Sequence, residues 1–353
     1  MAAALERAGH AATVLTAGGR SGSHQRGTVT WSAAAPVASA RFLAQLEQLM
    51  AGERFDHVVP LTEAAMYRLW DATPSWSERI FPRTDRDQRR LLRDKHALLE
   101  HMAGRGLEVP RQLRLDPGLA SDDLVRELGL PLVVKGATGS AGTRVRIVDT
   151  RAALARAIER ARALGGDWSV QTWVAGPTCL LGGMFHAGRA LRLYAAEKLE
   201  QYPARTGPAI RLRSDDDAAL IETGLRVFRE LRWTGFASAD LIRRPDGAHV
   251  LLEVNPRPWG SIAGASRAGV DLFTPFVELL AGRVPPADLS FAANHECMIF
   301  PRYLLSSRHR SFRGVAQAVR DLFGDQGRDW RQPRFLLRNL VRIHDRRREW
   351  REF

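Results

Sequence analysis

Two carboxylates and an amide, Asp240, Glu253 and Asn255, are spaced so that they can share one cation. The run Val250-Leu251-Leu252-Glu253-Val254-Asn255 reads as an apolar strand stopped by Pro256 and Pro258. Side chains alternate along a strand, so Glu253 and Asn255 face the same way. Residues 235–242 read as a second strand. Between them Pro245-Asp246-Gly247 is a turn, because Pro fixes φ and Gly accepts positive φ. A loop of Pro245 to Ala248 pairs Arg244 with His249 and sets Asp240 opposite Glu253. Like charges facing across a hairpin destabilise it. A cation between them removes the repulsion, and oxygen donors suit Mg2+ or Mn2+ better than zinc. The bland alternative is a chance acid at each strand end.

Of 52 Lys+Arg, only Lys95, Lys135 and Lys198 are lysines. In so arginine-rich a chain they mark places where a compact ammonium serves and a planar fork does not. A crowded phosphate pocket is such a place; survival by chance is the other. Lys135 ends an apolar strand and precedes Gly136-Ala137-Thr138-Gly139-Ser140-Ala141-Gly142. Glycines let backbone N–H groups approach an anion closely. The order is not that of a Walker loop, in which the lysine follows the glycines and a helix begins. Taken alone, an ordinary β-turn explains it as well.

The elements that must position these groups alternate. Helix 2–8, strand 12–16, a Gly/Ser-rich loop 17–35, helix 40–51, strand 55–61 and helix 63–71 predict a small parallel sheet in the first 80 residues. A doubly wound domain opens with a strand and glycine turn before its first helix. Neither precedes residue 2, so the expectation is either a start placed too late or a domain that lacks its first strand. A basic helix over 86–104 carries Asp94-Lys95. Ser121-Asp122-Asp123 caps a helix ending at 128, and Thr150 caps another over 152–164. Strands are expected at 144–148, 168–174, 179–185 and 189–197, helix at 215–231, and a helix fragment at 277–280.

Composition bounds the rest. The 353 residues suffice for roughly two or three domains, and 45% hydrophobic with 26% charged is ordinary for a soluble globular protein. No apolar run approaches the roughly 18 residues of a membrane span. Glu6 and Arg7 in the first helix argue against a secretory signal. Two cysteines, Cys179 and Cys297, make no disulfide framework, so a reducing cytoplasm is the expectation. Of the net charge of +13, +8 lies between Arg302 and Phe353. There residues 333–350 read as an amphipathic helix, with Phe335, Leu336, Leu340, Ile343 and Trp350 on one side and arginines on the other. Such a helix can bind an anionic membrane or nucleic acid. Packing on the body with a solvated arginine face is the favoured expectation.

Taken in order, several segments resemble the ATP-grasp superfamily. They are Asp94-Lys95, Lys135 with its glycines, Val170-Gln171-Thr172-Trp173-Val174-Ala175-Gly176-Pro177, Asp240, and Glu253-Val254-Asn255-Pro256-Arg257-Pro258-Trp259-Gly260-Ser261. The likeness is greatest to the carboxylate–amine ligase branch related to the ATP-binding domains of the carbamoyl-phosphate synthetase large chain. It covers roughly residues 5–285. It implies an α/β (α+β) architecture in three parts: a small N-terminal parallel-sheet domain over 1–85, an ATP-grasp domain over 86–285, and a basic, mainly helical extension over 286–353. Two α+β subdomains grip ATP, the glycine-loop subdomain spanning about 110–174.

Residue by residue, the resemblance implies Lys95 and Lys135 on the α- and β-phosphates of ATP. Gly139, Ser140, Ala141 and Gly142 would close over the phosphates. Gln171, Thr172, Trp173 and Val174 would lie at the adenine, with main-chain groups of Thr172 and Val174 on its edge. Thr178 would stand at the ribose. Asp240, Glu253 and Asn255 would hold one or two Mg2+ (or Mn2+), and Arg257 would reach the transferring phosphoryl group. Lys198 matches no family position; ahead of the loop 202–207 it is expected near the γ-phosphate or substrate, with a solvated surface lysine as the alternative. Two departures stand out: relatives commonly show Gln-Glu where Gln171-Thr172 stands, and often a ribose-binding Glu where Thr178 stands. A hydroxyl holds a ribose less strongly than a carboxylate, which implies weaker nucleotide binding. The implied reaction is ATP- and Mg2+-dependent ligation: a small carboxylate becomes an acyl phosphate and an amine displaces the phosphate, with amino acids among the candidate partners. A non-catalytic nucleotide-binding protein, or a nucleic-acid or anionic-membrane binder acting through the tail, are the alternatives.

Overall fold

A computed structural model of the protein describes residues 2–17, 23–26, 29–52, 55–139 and 142–299. The glycine-loop residues Ser140 and Ala141 and the tail helix expected over 333–350 lie outside the described residues. At the N-terminus, helix Ala2–Arg7 precedes a sheet in which Ala12–Ala17 pairs parallel with Val29–Ala34 and Ser23–Arg26 pairs antiparallel with it. The loop expected over 17–35 is therefore partly strand; the β-branched run Val29-Thr30 outweighs the Gly/Ser signal around it. Conversely, residues 55–61 form no strand. Val58 makes one isolated parallel bridge with Ile80, and Pro60 has no N–H with which to continue it. The parallel sheet expected here thus has a single parallel pair. Phe42, Leu46, Leu69, Trp76 and Ile80 pack as its core.

The helix expected over 86–104 is two helices, Arg86–Arg93 and Lys95–Gly104. Asp94 breaks the run because its carboxylate caps the second helix, accepting from the N–H groups of His96 and Ala97. Lys95 is thereby fixed as the first residue of a helix.

A four-stranded antiparallel sheet follows, in the order Gln112–Arg114, Trp168–Thr172, Leu132–Gly136, Val145–Val148. Helices Ser121–Leu128 and Arg151–Leu164 bury Leu124, Leu154, Ile158 and Ala161 against it. Thr150 caps the second helix through Ala153 N, as its sequence predicts. The first helix begins at Ser121 with Ala120 in the cap position and no side-chain cap bond, which corrects the expected Ser-Asp-Asp cap.

The larger sheet has six antiparallel strands in the order His249–Asn255, Gly235–Arg243, Thr178–His186, Arg189–Gln201, Ala209–Ser214, Glu296–Met298. The last two were not anticipated. One face packs on helices Lys95–Gly104 and Ala218–Glu230 through Leu98, Leu99, Met102, Val227 and Phe228. The other carries Leu180, Met184, Tyr194 and Phe236 against helix Phe273–Leu280 and its surroundings.

Candidate active site

A cleft of about 1260 Å3 is lined by residues of both larger sheets. Lys95, Lys135, Gly139, Gly142, Gln171, Thr172, Trp173, Val174, Thr178, Lys198, Asp240, Glu253, Asn255 and Arg257 all line it. Asp240 stands directly opposite Glu253, but by a different route from the expected one. Arg243, not Arg244, pairs with His249, and Arg244 N closes the turn on Ala248 O at 2.8 Å. The offset is absorbed by a β-bulge at Leu252, the extra residue between the Asp240–Glu253 and Leu241–Leu251 pairs. The bulge turns both Leu252 and Glu253 to the cleft.

The charges in the cleft are paired. Glu253 accepts from Lys95 Nζ at 2.9 Å and lies 3.3 Å from Lys135 Nζ. Lys135, with its side chain 8% exposed, crosses from the four-stranded sheet to donate to the Leu252 carbonyl at 3.0 Å. Lys95 also donates to Gly139 O at 3.2 Å. Burial opposes ionisation of Glu253, but the two ammoniums outweigh it and hold its carboxyl well below the usual range. Burial pushes Lys135 down, whereas on Lys95 the carboxylates of Glu253 and Glu63 overcome burial and raise it. Lys198 donates to Asp240 at 2.6 Å with its side chain 7% exposed, which rules out the solvated-surface alternative. Arg257 donates through Nε to Glu63 at 2.9 Å and through Nη2 to Asn255 Oδ1 at 3.2 Å. Asn255 Nδ2 faces Glu253 Oε1 at 3.4 Å, so a polar chain runs from Lys95 to Glu63.

Glu63, Ser238 and Arg205 were not anticipated. Glu63 is the first residue of helix Glu63–Ala72, where an acid ordinarily reads as a complement to the helix dipole. Ser238 precedes Asp240 by two and shares its face; its hydroxyl is buried without a hydrogen-bond partner. The Arg205 guanidinium lies 5.8 Å from the Trp173 ring centroid. Gly142 has φ +73°, and a Cβ there would overlap Thr206 O, so the glycine loop and the loop holding Arg205 and Thr206 are in contact.

All the donors on the hairpin's cleft face are oxygens or an amide. Among the described residues no three His, Cys, Asp or Glu side chains gather so as to hold a metal ion by themselves. Asp240 and Glu253 supply two carboxylates, so other oxygens must complete a shell there. That matches Mg2+, which is usually held by one or two carboxylates, water and substrate phosphates.

Residues 92–261 match the model of the ATP-grasp domain. The chain is 30% identical over 186 residues to a D-alanine–D-alanine ligase of Cupriavidus taiwanensis, covering 48% of this chain and 55% of that protein. It spans only about half the length of the curated relatives it matches. Among solved structures, the biotin carboxylase domain of the Hydrogenobacter thermophilus 2-oxoglutarate carboxylase, in complex with MgADP, ADP and bicarbonate, is similar at TM-score 0.68 and 16% identity. That match covers 83% of this chain and 69% of that one. The L-amino acid ligase from Bacillus licheniformis is similar at TM-score 0.65 and 19% identity, over 79% and 71%. The sheets, the cleft and the ordered motif residues agree with these matches: residues 92–261 match an ATP-grasp domain, and the chain shares the fold of these structures.

Proposed function

We propose that the protein is an ATP- and Mg2+-dependent ligase that activates a small carboxylate as an acyl phosphate and joins it to an amine. One observation carries the reading. Asp240, Glu253 and Glu63 are each bound to a cation that lines the cleft with them, and these pairs would give way to a Mg–nucleotide complex or a substrate. Phosphates would take Lys95, Lys135 and Lys198. The freed carboxylates of Asp240 and Glu253, with Asn255, would take one or two Mg2+, which supply charge neutralisation at the β- and γ-phosphates.

The remaining roles follow position. Gly139 to Gly142 would cover the phosphates with backbone N–H groups. Gln171, Thr172, Trp173 and Val174 would border the adenine. The Thr172 and Trp173 N–H groups already bond Arg111 O and Pro131 O, which turns main-chain recognition toward carbonyls and Val174. Thr178 would meet the ribose, and Arg257 the transferring phosphoryl group. A carboxylate oxygen attacks the γ-phosphorus and ADP leaves. The amine nitrogen then attacks the acyl carbon, and phosphate departs with one of the original carboxylate oxygens. The chain's part is to hold the groups in line and offset their charge.

The division at residues 85 and 285 belongs to the same reading. So does a cytoplasmic setting, with Cys179 and Cys297 outside any disulfide and no helix among the described residues long and apolar enough to cross a membrane. The test uses 18O-labelled carboxylates with ATP, Mg2+ and an amine. Transfer of 18O into inorganic phosphate is the expected result. ADP formed without that transfer would rule out the acyl phosphate, and nucleotide bound without turnover would favour a non-catalytic nucleotide binder.

A further inference from the structure

Four acids line the cleft: Asp240 and Glu253 stand on the hairpin, Glu200 pairs with Arg211 at 3.2 Å, a residue outside the cleft lining, and the fourth is Glu63. Its side chain is 12% exposed, and it meets Arg257, itself 19% exposed, at 2.9 Å. The remaining nitrogens of that guanidinium are also engaged, Nη2 on Asn255 Oδ1 at 3.2 Å and Nη1 on Pro258 O at 3.2 Å. Glu63 therefore occupies the carboxylate seat on Arg257.

The inference rests on the ligase reading and follows its charges one step further. When nucleotide and metal bind, Asp240 and Glu253 exchange ammonium for Mg2+ and keep a cation. Glu63 has no such exchange. If a substrate carboxylate takes Arg257, Glu63 is left as a nearly buried anion without a partner, a strongly disfavoured state. A substrate that brings its own cation, held close to its carboxylate, repairs this. We propose that Glu63 is a placeholder for the substrate carboxylate on Arg257 and, once displaced, the receptor for the ammonium group of the same substrate. The acid the protein activates is then an amino acid bound as a zwitterion, and Glu63 is the residue that selects it.

The test traps the acyl phosphate, so the natural amine need not be known. Full-length protein is given ATP, Mg2+ and hydroxylamine, and hydroxamate is measured. The probes are the common L-amino acids, glycine and D-alanine, each beside its N-acetyl derivative, together with plain acids such as acetate, propionate and succinate. At least one free amino acid should outperform its N-acetyl form by roughly 10⁴-fold in kcat/KM, the scale at which a site built for a polar group rejects its absence. Glu63→Gln should erase most of that preference through KM while MgADP binding, read by thermal shift, persists; persistence also shows that the variant folds. Equal use of free and acetylated acids, or a preference unchanged in Glu63→Gln, overturns the proposal. Hydroxamate from plain acids alone overturns it and leaves the ligase reading standing. No hydroxamate from any acid sinks both.

Discussion

The hairpin of Gly235–Arg243 and His249–Asn255 is charged on both faces, and the two faces are wired differently. On the cleft face, Asp240 and Glu253 meet ammoniums that arrive from a helix start, the four-stranded sheet and a strand two places along the larger sheet. On the opposite face one guanidinium, Arg243, gathers the carboxylates of Asp215, Asp217 at 3.2 Å and Glu197 at 3.7 Å, and donates to His249 at 3.3 Å. Asp217 is used again there, capping helix Ala218–Glu230. None of these five residues lines the cleft. Ion pairs alone therefore do not mark a site in this molecule. What distinguishes the cleft is that its cations come from separate elements and converge on a cavity large enough for a ligand, whereas the rear cluster closes on itself.

Substitutions on the two faces should separate function from stability. Glu253→Gln should lower Mg2+-dependent ATP turnover by at least ~10²-fold, a loss comparable to removing one electrostatic group from a reacting centre. Circular dichroism should report an intact fold; wild-type ADP release in that variant would break the comparison. Arg243→Met should do the reverse. It leaves Asp215, Asp217 and Glu197 without their shared cation and should cost about 2 kcal/mol in urea unfolding, less than for a fully buried pair because Arg243 keeps 24% exposure. Its KM for ATP should not move.

Acid titration sharpens the contrast. The Glu253 carboxyl is depressed in the fold, so its contribution is present above the ordinary glutamate range and fades as pH falls through the lower folded value. Glu253→Gln should flatten stability against pH in that window by up to about 1.4 kcal/mol per pH unit. An unchanged slope would mean that the lysines are not holding that carboxylate. The smallest effect is expected for Gly142→Ala, which strains a position at φ +73° and pushes the glycine loop off Thr206. About 1 kcal/mol of stability and a several-fold fall in kcat should follow.

How far the sequence reaches is visible in particular residues. A hairpin that brings Asp240 close to Glu253 was legible from strand alternation and the Pro-Asp-Gly turn, although the Arg244–His249 register read from them is off by one residue. The bulge at Leu252 was not, since nothing in an apolar run of Val and Leu announces an extra residue. Lys95 and Lys135 were legible as scarce ammoniums, although the split at Asp94 was hidden inside a strongly basic helical pattern. Strands Ala209–Ser214 and Glu296–Met298 lacked a clear signal, the second being three residues long and paired with a strand more than 80 positions away. Glu63 was illegible as a site residue because its partner, Arg257, lies 194 positions away and only the tertiary fold brings them together.

The cap at Asp94 has a mechanical consequence. Its carboxylate also accepts from Arg114 at 2.8 Å, and Gln112 Nε2 donates to His96 O at 2.9 Å, so the start of the Lys95 helix is bolted to the edge of the four-stranded sheet. The body of that helix packs on the larger sheet through Leu98, Leu99 and Met102, so Lys95 stands at the joint between the two sheets. A tilt of the four-stranded sheet would swing Lys135 and Gly139 about that joint, toward or away from an ammonium that stays beside Glu253.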